Sequence, residues 1–427
     1  MTPENSYEPS EAPKLIEEKN PWLSLLKSKN FSYLWLGTFI SGAGLWVQIA
    51  ALGWVTYEIT QNEALVVIVS AMRRFPEAIL GPFIGTLADL IDRRKLLILC
   101  EFSLGLNGLF LGVITSNPKL LPEVYSLFLL SAILSGAVQA IERPTRSSFL
   151  SGLVYRRQLP TAVPLMSMSI QFARFLGSYL TGWMLVVWGA PGCFYFNAVT
   201  YVALIFALIM IRDGVNKQEI VKIKTKGLWL QGIQYAFADL RIRFLFILEA
   251  FMVVFGNFYV ALMPVIAKDL FGLNQMGYGK VMAAVGIGNV LGLFALTIFN
   301  RNLKLRRFFY FSAMLFMGLA LILLTITQNL LFAYFLFAVC GWGSLVMINI
   351  TLLFLQMNVP DEMKGRLFSI HLWIAFGLGG FFYPVLGYLC QILTTTVVLS
   401  YCGWIVLIAG IFGYLKRGAL QRLEQNA

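Results

Sequence analysis

Twelve apolar runs of about 20 residues divide the chain, and each is long enough to cross the hydrocarbon core of a bilayer as a helix. They lie near residues 33–57, 64–88, 95–115, 123–143, 161–187, 192–212, 244–267, 276–299, 308–326, 330–355, 367–391 and 396–415. Charged residues make up only 13% of the 427 residues, about half the share found in a soluble domain. The runs are also too long for the alternating strands of an outer-membrane barrel. The sequence therefore predicts an all-α polytopic membrane protein with twelve transmembrane helices, and it excludes a soluble enzyme.

Basic residues set the predicted orientation of these spans. Most of the 33 Lys and Arg residues lie in alternate connections, on the side that also holds both termini. Because basic loops are retained in the cytoplasm, both termini are predicted to be cytoplasmic. The net charge of +12 then reflects topology and contact with the anionic lipid bilayer, and nucleic acid is excluded as a partner.

The longest polar connection separates two groups of six spans. The predicted organisation is a cytoplasmic N-terminal tail over 1–30, a six-helix half over 31–212, a cytoplasmic linker over 213–243, a second six-helix half over 244–415 and a cytoplasmic tail over 416–427. This division predicts two helical bundles that face each other across a central interface.

The connection after the second span, residues 85–95, reads GTLADLIDRRK. It resembles the signature loop of the major facilitator superfamily, G-x-x-x-D-x-x-G-R-[KR], with Asp92 in place of the usual glycine. The resemblance implies a transporter of two six-helix halves that works by alternating access around a midplane cavity. It also implies that Asp89 binds a neighbouring helix N-terminus and locks the cytoplasmic side when the transporter faces outward.

Three further stretches resemble the bacterial effector-type exporters, a branch of that superfamily that includes the enterobactin exporter and macrolide efflux proteins. They read ERPTRSSFLSGLV at 142–154, GYGKVMAAVGIGNVLG at 277–292 and VPDEMKGRLFS at 359–369. The stretch 176–182 departs from the pattern of many antiporters in the superfamily, because it lacks the proline of G-P-x-x-G-G. The resemblance implies a monomer in the bacterial inner membrane. The cytoplasmic gate that it implies consists of Gly85, Asp89, Arg93, Arg94, Lys95, Arg146, Asp361 and Arg366.

Four charged residues lie near the middle of spans two and five: Arg73, Arg74, Glu77 and Arg174. Each needs a structural or functional reason, since a charge at the bilayer centre costs about 2.5–3.5 kcal/mol on insertion scales. Arg73 and Glu77 are four residues apart, so they share a helix face and can pair. The family arrangement places both spans beside the central cavity, where guanidiniums suit carboxylate or phosphate oxygens. The alternative is a structural network in which these charges satisfy one another with the help of Glu101 or Glu142.

Neutral polar side chains in spans one, four, seven and ten complete the predicted substrate site, because these spans line the pathway of the family. They are Gln48, Gln139, Asn257 and Asn349. The three arginines and these four residues together predict a cavity for a small anionic or oxygen-rich molecule.

Proton coupling needs an acid inside the membrane. Glu77 is the most central acid, whereas Glu101 and Glu249 lie closer to cytoplasmic helix ends. All three are candidates, with Glu77 preferred. His371, near the start of span eleven, is interpreted as an interfacial side chain.

No G-x-x-x-x-G-K-[ST] loop is present, so an ion gradient, most simply of protons, is the expected energy source, without a cofactor. One histidine and five cysteines without C-x-x-C spacing predict no metal site. The prediction is export of a small anionic or oxygen-rich metabolite such as a siderophore. The alternatives are efflux of macrolides or other drugs, movement of lysophospholipids between leaflets, and a sensor that binds ligand without transport.

Overall fold

The computed structural model describes residues 21–87, 92–117, 124–211, 228–299 and 303–416, and within these ranges the chain is helical with no strand. The helices of the first half are α1 (Pro21–Lys27), α2 (Lys29–Thr60), α3 (Glu63–Leu87), α4 (Arg93–Ser116), α5 (Val124–Leu153), α6 (Leu159–Val187) and α7 (Gly189–Met210). The second half begins after α8 (Leu228–Ala238) with α9 (Leu240–Phe251), α10 (Phe258–Ala261) and α11 (Met263–Val265). It continues with α12 (Gln275–Phe299), α13 (Leu303–Leu324), α14 (Leu330–Asn358), α15 (Asp361–Leu372), α16 (Leu378–Leu393) and α17 (Thr395–Leu415).

These helices form the twelve predicted membrane spans. Ten candidate spans are long and apolar enough by themselves, including the stretches 240–261 and 362–393, each of which joins several helical elements. The other two are α3, with 25 residues, and α6, with 29. Both helices carry polar or charged side chains towards the centre of the molecule, so their mean hydropathy underestimates their role as spans. The prediction of an all-α, twelve-span protein is confirmed.

Each half packs as a bundle, and the two bundles meet along two seams. In the first half α2 packs on α6 and α7, α4 packs on α5 and α7, and α3 packs on α5. In the second half α14 packs on α12 and α13, and α13 packs on α17. The seams between halves are α6 against α12 and α3 against α16. The halves approach closely at Gly286, where glycine has no side chain. A Cβ at this position would lie only 2.7 Å from Cα of Phe175 across the first seam, which is too close for any larger residue.

Two of the predicted domain boundaries fall inside helices. α2 begins at Lys29, inside the predicted tail, and α9 begins at Leu240, inside the predicted linker. The linker also contains α8, which packs on α15 and α9. Residues 1–20, 212–227 and 417–427, which hold most of both tails and half of the linker, lie outside the described residues.

Turns of π-helix interrupt spans seven and eleven. In span seven they cover Met252–Gly256 and Ile266–Leu270, and in span eleven the turn covers Trp373–Gly377. Such single turns widen the helix locally and are frequent at functional sites. Here two of them lead directly to residues that line the central cavity.

Candidate functional site

A cavity of about 460 Å³ lies between the two halves, and its lining includes five arginines and one acid. The charged lining residues are Arg73, Arg74, Glu77, Arg143, Arg146 and Arg174. α3 supplies the first three, α5 supplies Arg143 and Arg146, and α6 supplies Arg174. The predicted cluster of three arginines and one carboxylate is therefore brought together, and it faces a cavity rather than being sealed between helices.

Glu77 is neutralised by an arginine of another helix. Arg143 Nη1 lies 2.6 Å from Glu77 Oε1, and its Nη2 donates a hydrogen bond of 3.3 Å to Gln139 Oε1. Arg73 donates to the same amide oxygen at 3.3 Å instead of pairing with Glu77 on its own helix face. The arrangement leaves Arg73, Arg74 and Arg174 without a carboxylate partner among the described residues.

Aromatic rings hold three of these guanidiniums. The Cζ atom of Arg174 lies 4.3 Å from the ring centroid of Trp46, that of Arg143 lies 4.7 Å from Phe376, and that of Arg74 lies 5.4 Å from Tyr383. A ring against the flat face attracts the cation and, for Arg74 and Arg174, leaves the N–H groups at the edge of the fork available for a ligand. The Nε atom of Arg74 is buried without a hydrogen-bond partner.

The neutral polar residues predicted for the site divide into three cases. Gln139 and Asn257 line the cavity. Gln48 also lines it, but it accepts a hydrogen bond from Asn197 at 2.5 Å and donates one to Asn107 at 3.3 Å, so its amide is engaged in a buried network. Asn349 is not among the lining residues, and its side chain donates to Leu345 O on its own helix at 2.9 Å. The structure does not bring Asn349 to the cavity, which α14 lines with Gly341, Ser344 and Ile348 instead.

Arg143, Gln171 and Asn289 belong to the cavity lining but were not predicted as site residues. Arg143 stood at the predicted end of span four, but α5 continues to Leu153 and places this side chain in the cavity. Gln171 Oε1 and Asn289 Nδ2 also line the cavity and are buried without a hydrogen-bond partner. The available sequence signal was the spacing of Arg143 from Gln139 and of Gln171 from Arg174, which places each pair on one helix face.

Two of the three acids predicted for proton coupling lie outside the cavity. Glu101 is 2% exposed on α4 and lies near Glu142, which pairs with Arg146 at 3.2 Å. Glu249 is 0% exposed on α9 and pairs with His371 at 3.0 Å. His371 itself is only 1% exposed, so its interpretation as an interfacial side chain is wrong.

The described residues of the predicted gate lie towards the end of the molecule that carries Pro21 and Leu415, which is called the inner end. Asp89 lies outside the described residues, and Gly85 lies in the last turns of α3. Asp92, in place of the usual glycine, caps α4 by accepting a hydrogen bond of 3.0 Å from Lys95 N, a role that aspartate fills well. Its φ of −54° is a backbone conformation that any residue can adopt, so this position does not require glycine.

Two basic gate residues bind neighbouring helices. Arg94 donates to Ile209 O of α7 at 2.6 Å, and Arg366 of α15 donates to Gln231 of α8 at 2.7 Å. Arg93 begins α4, and Asp361 begins α15. The cavity extends towards this inner end, because its lining includes Val163 near the start of α6.

The opposite, outer end is closed by hydrogen bonds between the halves, which we call the outer latch. Tyr57 donates to the Asp269 carboxylate. The remaining contacts are Gln275 to Glu58 at 3.2 Å, Lys268 to Gln61 at 3.4 Å and Gln391 to Asn62 at 2.7 Å. The cavity thus reaches towards the inner end, while hydrogen bonds between the halves close the outer end.

Sequence comparisons place the chain among secretion transporters. The profile of the family described as "Transmembrane secretion effector" matches residues 20–426. The chain is 25% identical over 339 residues to the staphyloferrin A transporter of Staphylococcus aureus, which covers 79% of this chain and 84% of that protein. It is also 25% identical over 360 residues to the candidate bacilysin exporter BacE of Bacillus subtilis, covering 82% of this chain and 84% of that protein.

Solved structures share the fold. A bacterial homologue of the human lysosomal transporter Spinster, inward-facing and unoccupied, matches with a TM-score of 0.70 and 13% identity, over 92% of this chain and 98% of that one. A POT family transporter in complex with a thioalcohol-conjugated peptide matches with a TM-score of 0.73 and 13% identity, over 90% and 95%. The likeness to these transporters confirms the major facilitator fold.

Proposed function

Because this chain belongs to the transmembrane secretion effector family of the major facilitator superfamily, we propose that it exports a small anionic, oxygen-rich metabolite of the siderophore class. The transporter works by alternating access in the bacterial inner membrane, with both termini in the cytoplasm. The inner end described above then faces the cytoplasm, and the structure corresponds to the state that loads substrate.

The observation that carries this proposal is a set of three cavity arginines that have no carboxylate partner in the described part of the chain: Arg73, Arg74 and Arg174. Cations left uncompensated in a membrane-embedded cavity are costly, and a ligand that brings negative oxygens relieves that cost. Arginine forks with stacked faces bind planar carboxylates in a bidentate manner. A polycarboxylate is therefore a better match than a cationic drug, which these guanidiniums would repel.

The size of the cavity also favours a small molecule. Its volume of about 460 Å³ falls within the range of about 300–1,000 Å³ typical of small-molecule sites. Gln139, Gln171 and Asn289 add neutral hydrogen-bonding groups to the same lining. The relatives named as a staphyloferrin A transporter and a bacilysin exporter support export of a polar metabolite of this size.

The energy source follows from the charge of the cargo. Each negative charge moved outward gains about 2.3 kcal/mol per 100 mV of membrane potential, so the potential favours export of an anion. We propose that proton entry adds to this drive, which makes the protein an antiporter. The sequence predicts Glu77, Glu101 and Glu249 as candidate proton carriers.

Loss of the gene tests the physiological role. Deletion should remove a carboxylate-rich metabolite from the medium of iron-poor cultures and raise it inside the cells, whereas iron-rich cultures should differ little. A wild-type copy should restore secretion, and an Arg174→Met copy should not. An unchanged set of secreted metabolites under both conditions would contradict the proposal.

A transport assay separates this function from the alternatives. Inverted vesicles that contain the protein should accumulate labelled citrate, used as a simple tricarboxylate probe, and a protonophore should reduce the accumulation. Uptake of a macrolide or a lysophospholipid without any competition by citrate would favour those substrates instead. Binding of citrate without transport would favour a sensor.

A further inference from the structure

Proton binding to Glu77, the acid in the cavity, would promote anion binding, whereas antiport requires that the two oppose each other. Protonating it would release Arg143, its partner at 2.6 Å, and leave that guanidinium free to bind an anion. Linkage is reciprocal, so a bound anion would favour a bound proton, and both would cross in the same direction. Antiport therefore needs a titratable site that lies apart from the arginine cluster but is mechanically connected to it.

Glu249 and His371 form a site of this kind in the second half. Nδ1 of His371 lies 3.0 Å from Oε1 and 3.1 Å from Oε2 of Glu249, and the two side chains are 1% and 0% exposed. Tyr310 of α13 is the titratable group that faces Glu249 from a neighbouring helix. No lysine, arginine or further acid in the described part of the chain interacts with Glu249.

One proton is enough to make this pair electrically neutral. The proton can reside on the imidazole, opposite a carboxylate, or on the carboxyl group, opposite a neutral imidazole. Its loss leaves an isolated carboxylate in a site that water does not reach, which is strongly unfavourable. The sealed arrangement in this structure is thus favoured while the pair holds its proton, and proton loss favours an arrangement in which water reaches Glu249.

A turn of π-helix connects each member of the pair to the cavity. Span eleven continues from His371 into the π-turn Trp373–Gly377, which contains the cavity-lining Phe376 against Arg143. Span seven continues from Glu249 into the π-turn Met252–Gly256 and then to Asn257, which lines the cavity.

The same π-turn of span eleven also contacts the other half. Nε1 of Trp373 donates a hydrogen bond of 2.7 Å to Ala78 O of α3. A Cβ on Gly377 would lie 2.8 Å from Cα of Ala78, so this seam leaves little room for movement. A shift of α15 relative to α9 must therefore change both the cavity wall and the contact between the halves.

We propose that Glu249 and His371 together bind the proton that drives transport, and that losing this proton favours the state that is open at the outer end. The proposal rests on the proposed export function for its purpose, but the site itself is independent of the substrate. A proton taken up from outside returns the emptied carrier to the inner-open state. Release of that proton to the cytoplasm then accompanies the next outward step of the anion.

A pH titration of the conformational equilibrium tests this site without any substrate. Spin labels at Ile59→Cys and Ile392→Cys, both exposed at the outer end, report opening of the outer latch by pulsed electron resonance. The five native cysteines are buried, so labelling is confined to the introduced sites. Between about pH 5.5 and pH 8.5 the outer-open population should rise about threefold or more in the reconstituted protein.

Variants assign the effect to the pair. The double variant Glu249→Gln/His371→Gln should show no pH-dependent change, and His371→Asn, whose amide nitrogen cannot titrate in this range, should show the same loss. Glu362→Gln removes an exposed acid of α15 and should keep the full response. A flat titration of the unsubstituted protein, or a persistent response in the folded double or single variant, would overturn the proposal.

Citrate binding to the same proteins distinguishes this proposal from the proposed function. The double variant should bind citrate within about threefold of the unsubstituted protein, since its substitutions lie outside the cavity. Absence of citrate binding in every protein, together with an intact pH response, would contradict the cargo and leave the proton site supported.

Discussion

Arg143 Nη1 lies 2.6 Å from Glu77 Oε1 inside the cavity, so a carboxylate of α3 neutralises an arginine of α5. Gln139 connects this ion pair to Arg73 through its amide oxygen, which accepts a hydrogen bond from each arginine. The pair thus sets how many positive charges the cavity offers to a ligand. Removing the acid and removing the arginine should have opposite effects on anion binding.

Glu77→Gln should strengthen the binding of citrate by about threefold to tenfold, equivalent to about 1 kcal/mol. The physical reason is that Arg143 loses its internal partner and gains freedom to bind the anion. Arg143→Met should weaken binding by at least the same factor, since it leaves Glu77 uncompensated beside the ligand. Isothermal titration of the purified protein measures both changes. Weaker binding by Glu77→Gln would contradict this account of the cavity.

Arg174→Met should weaken citrate binding by about tenfold or more, because a hydrogen-bonded ion pair with the ligand is worth about 1.5–3 kcal/mol. Arg174→Lys keeps the charge but loses the planar fork that stacks on Trp46 at 4.3 Å, so its loss should be intermediate. Arg157 offers a matched control, since it also lies on a ring, that of Tyr155 at 5.5 Å, but does not line the cavity. Titration of Arg157→Met should give the unsubstituted affinity.

The span count was predictable from the sequence because a run of about 20 apolar residues has few alternatives in a bilayer. The ends of spans were less predictable. Glu142 and Arg143 appeared to end span four, but Glu142 is matched by Arg146 one turn later, and α5 continues to Leu153. Span eleven likewise begins at Asp361, earlier than predicted, which places His371 inside the protein.

For the most apolar spans, the sequence also did not predict which helix face lines the cavity. α12 and α14 are apolar on all sides, so their sequences do not indicate which face meets the cavity. For this reason Asn349 was expected in the site, whereas Asn289 was not. The charged residues of α3 and α6 carried a clearer signal, because a membrane tolerates a charge only where it meets a partner, a ligand or water.

Close packing of α3 on α5 makes Gly136 sensitive to any side chain. A Cβ at this position would lie 2.0 Å from the backbone oxygen of Arg73, and helix backbones cannot yield as a flexible side chain does. Gly136→Ala should therefore destabilise the protein by about 2 kcal/mol or more and misplace the arginines of α3. Thermal unfolding in detergent measures the loss as a lower melting temperature.

Gly365→Ala is the control for that substitution. Gly365 also lies in a helix, α15, but a Cβ there would meet nothing within 4 Å. Alanine is favoured over glycine in a helix by about 0.8–1.0 kcal/mol, so the melting temperature should stay the same or rise. An equal loss of stability in both variants would show that the contact with Arg73 is not the cause.

Removing one hydrogen bond of the outer latch should favour opening at that end. Tyr57→Phe deletes the hydroxyl that donates to Asp269 across the halves, and Asp269→Asn weakens the same bond by removing the charge. Either change should raise the outer-open population by about threefold to tenfold, the effect of a hydrogen bond worth about 1 kcal/mol. The distance between spin labels at Ile59→Cys and Ile392→Cys, both exposed at the outer end, measures the opening.

The matched control for the latch is a tyrosine whose bond stays within one half. Tyr125 donates to Leu65 O at 3.3 Å between α5 and α3, so Tyr125→Phe should leave the equilibrium unchanged. A short cross-link between Glu58→Cys and Gln275→Cys, whose native side chains meet at 3.2 Å, should hold the latch shut and abolish transport until it is reduced. Transport that continues at full rate through the cross-linked protein would mean that the outer end does not need to open there. The exit path for the anion would then have to lie elsewhere.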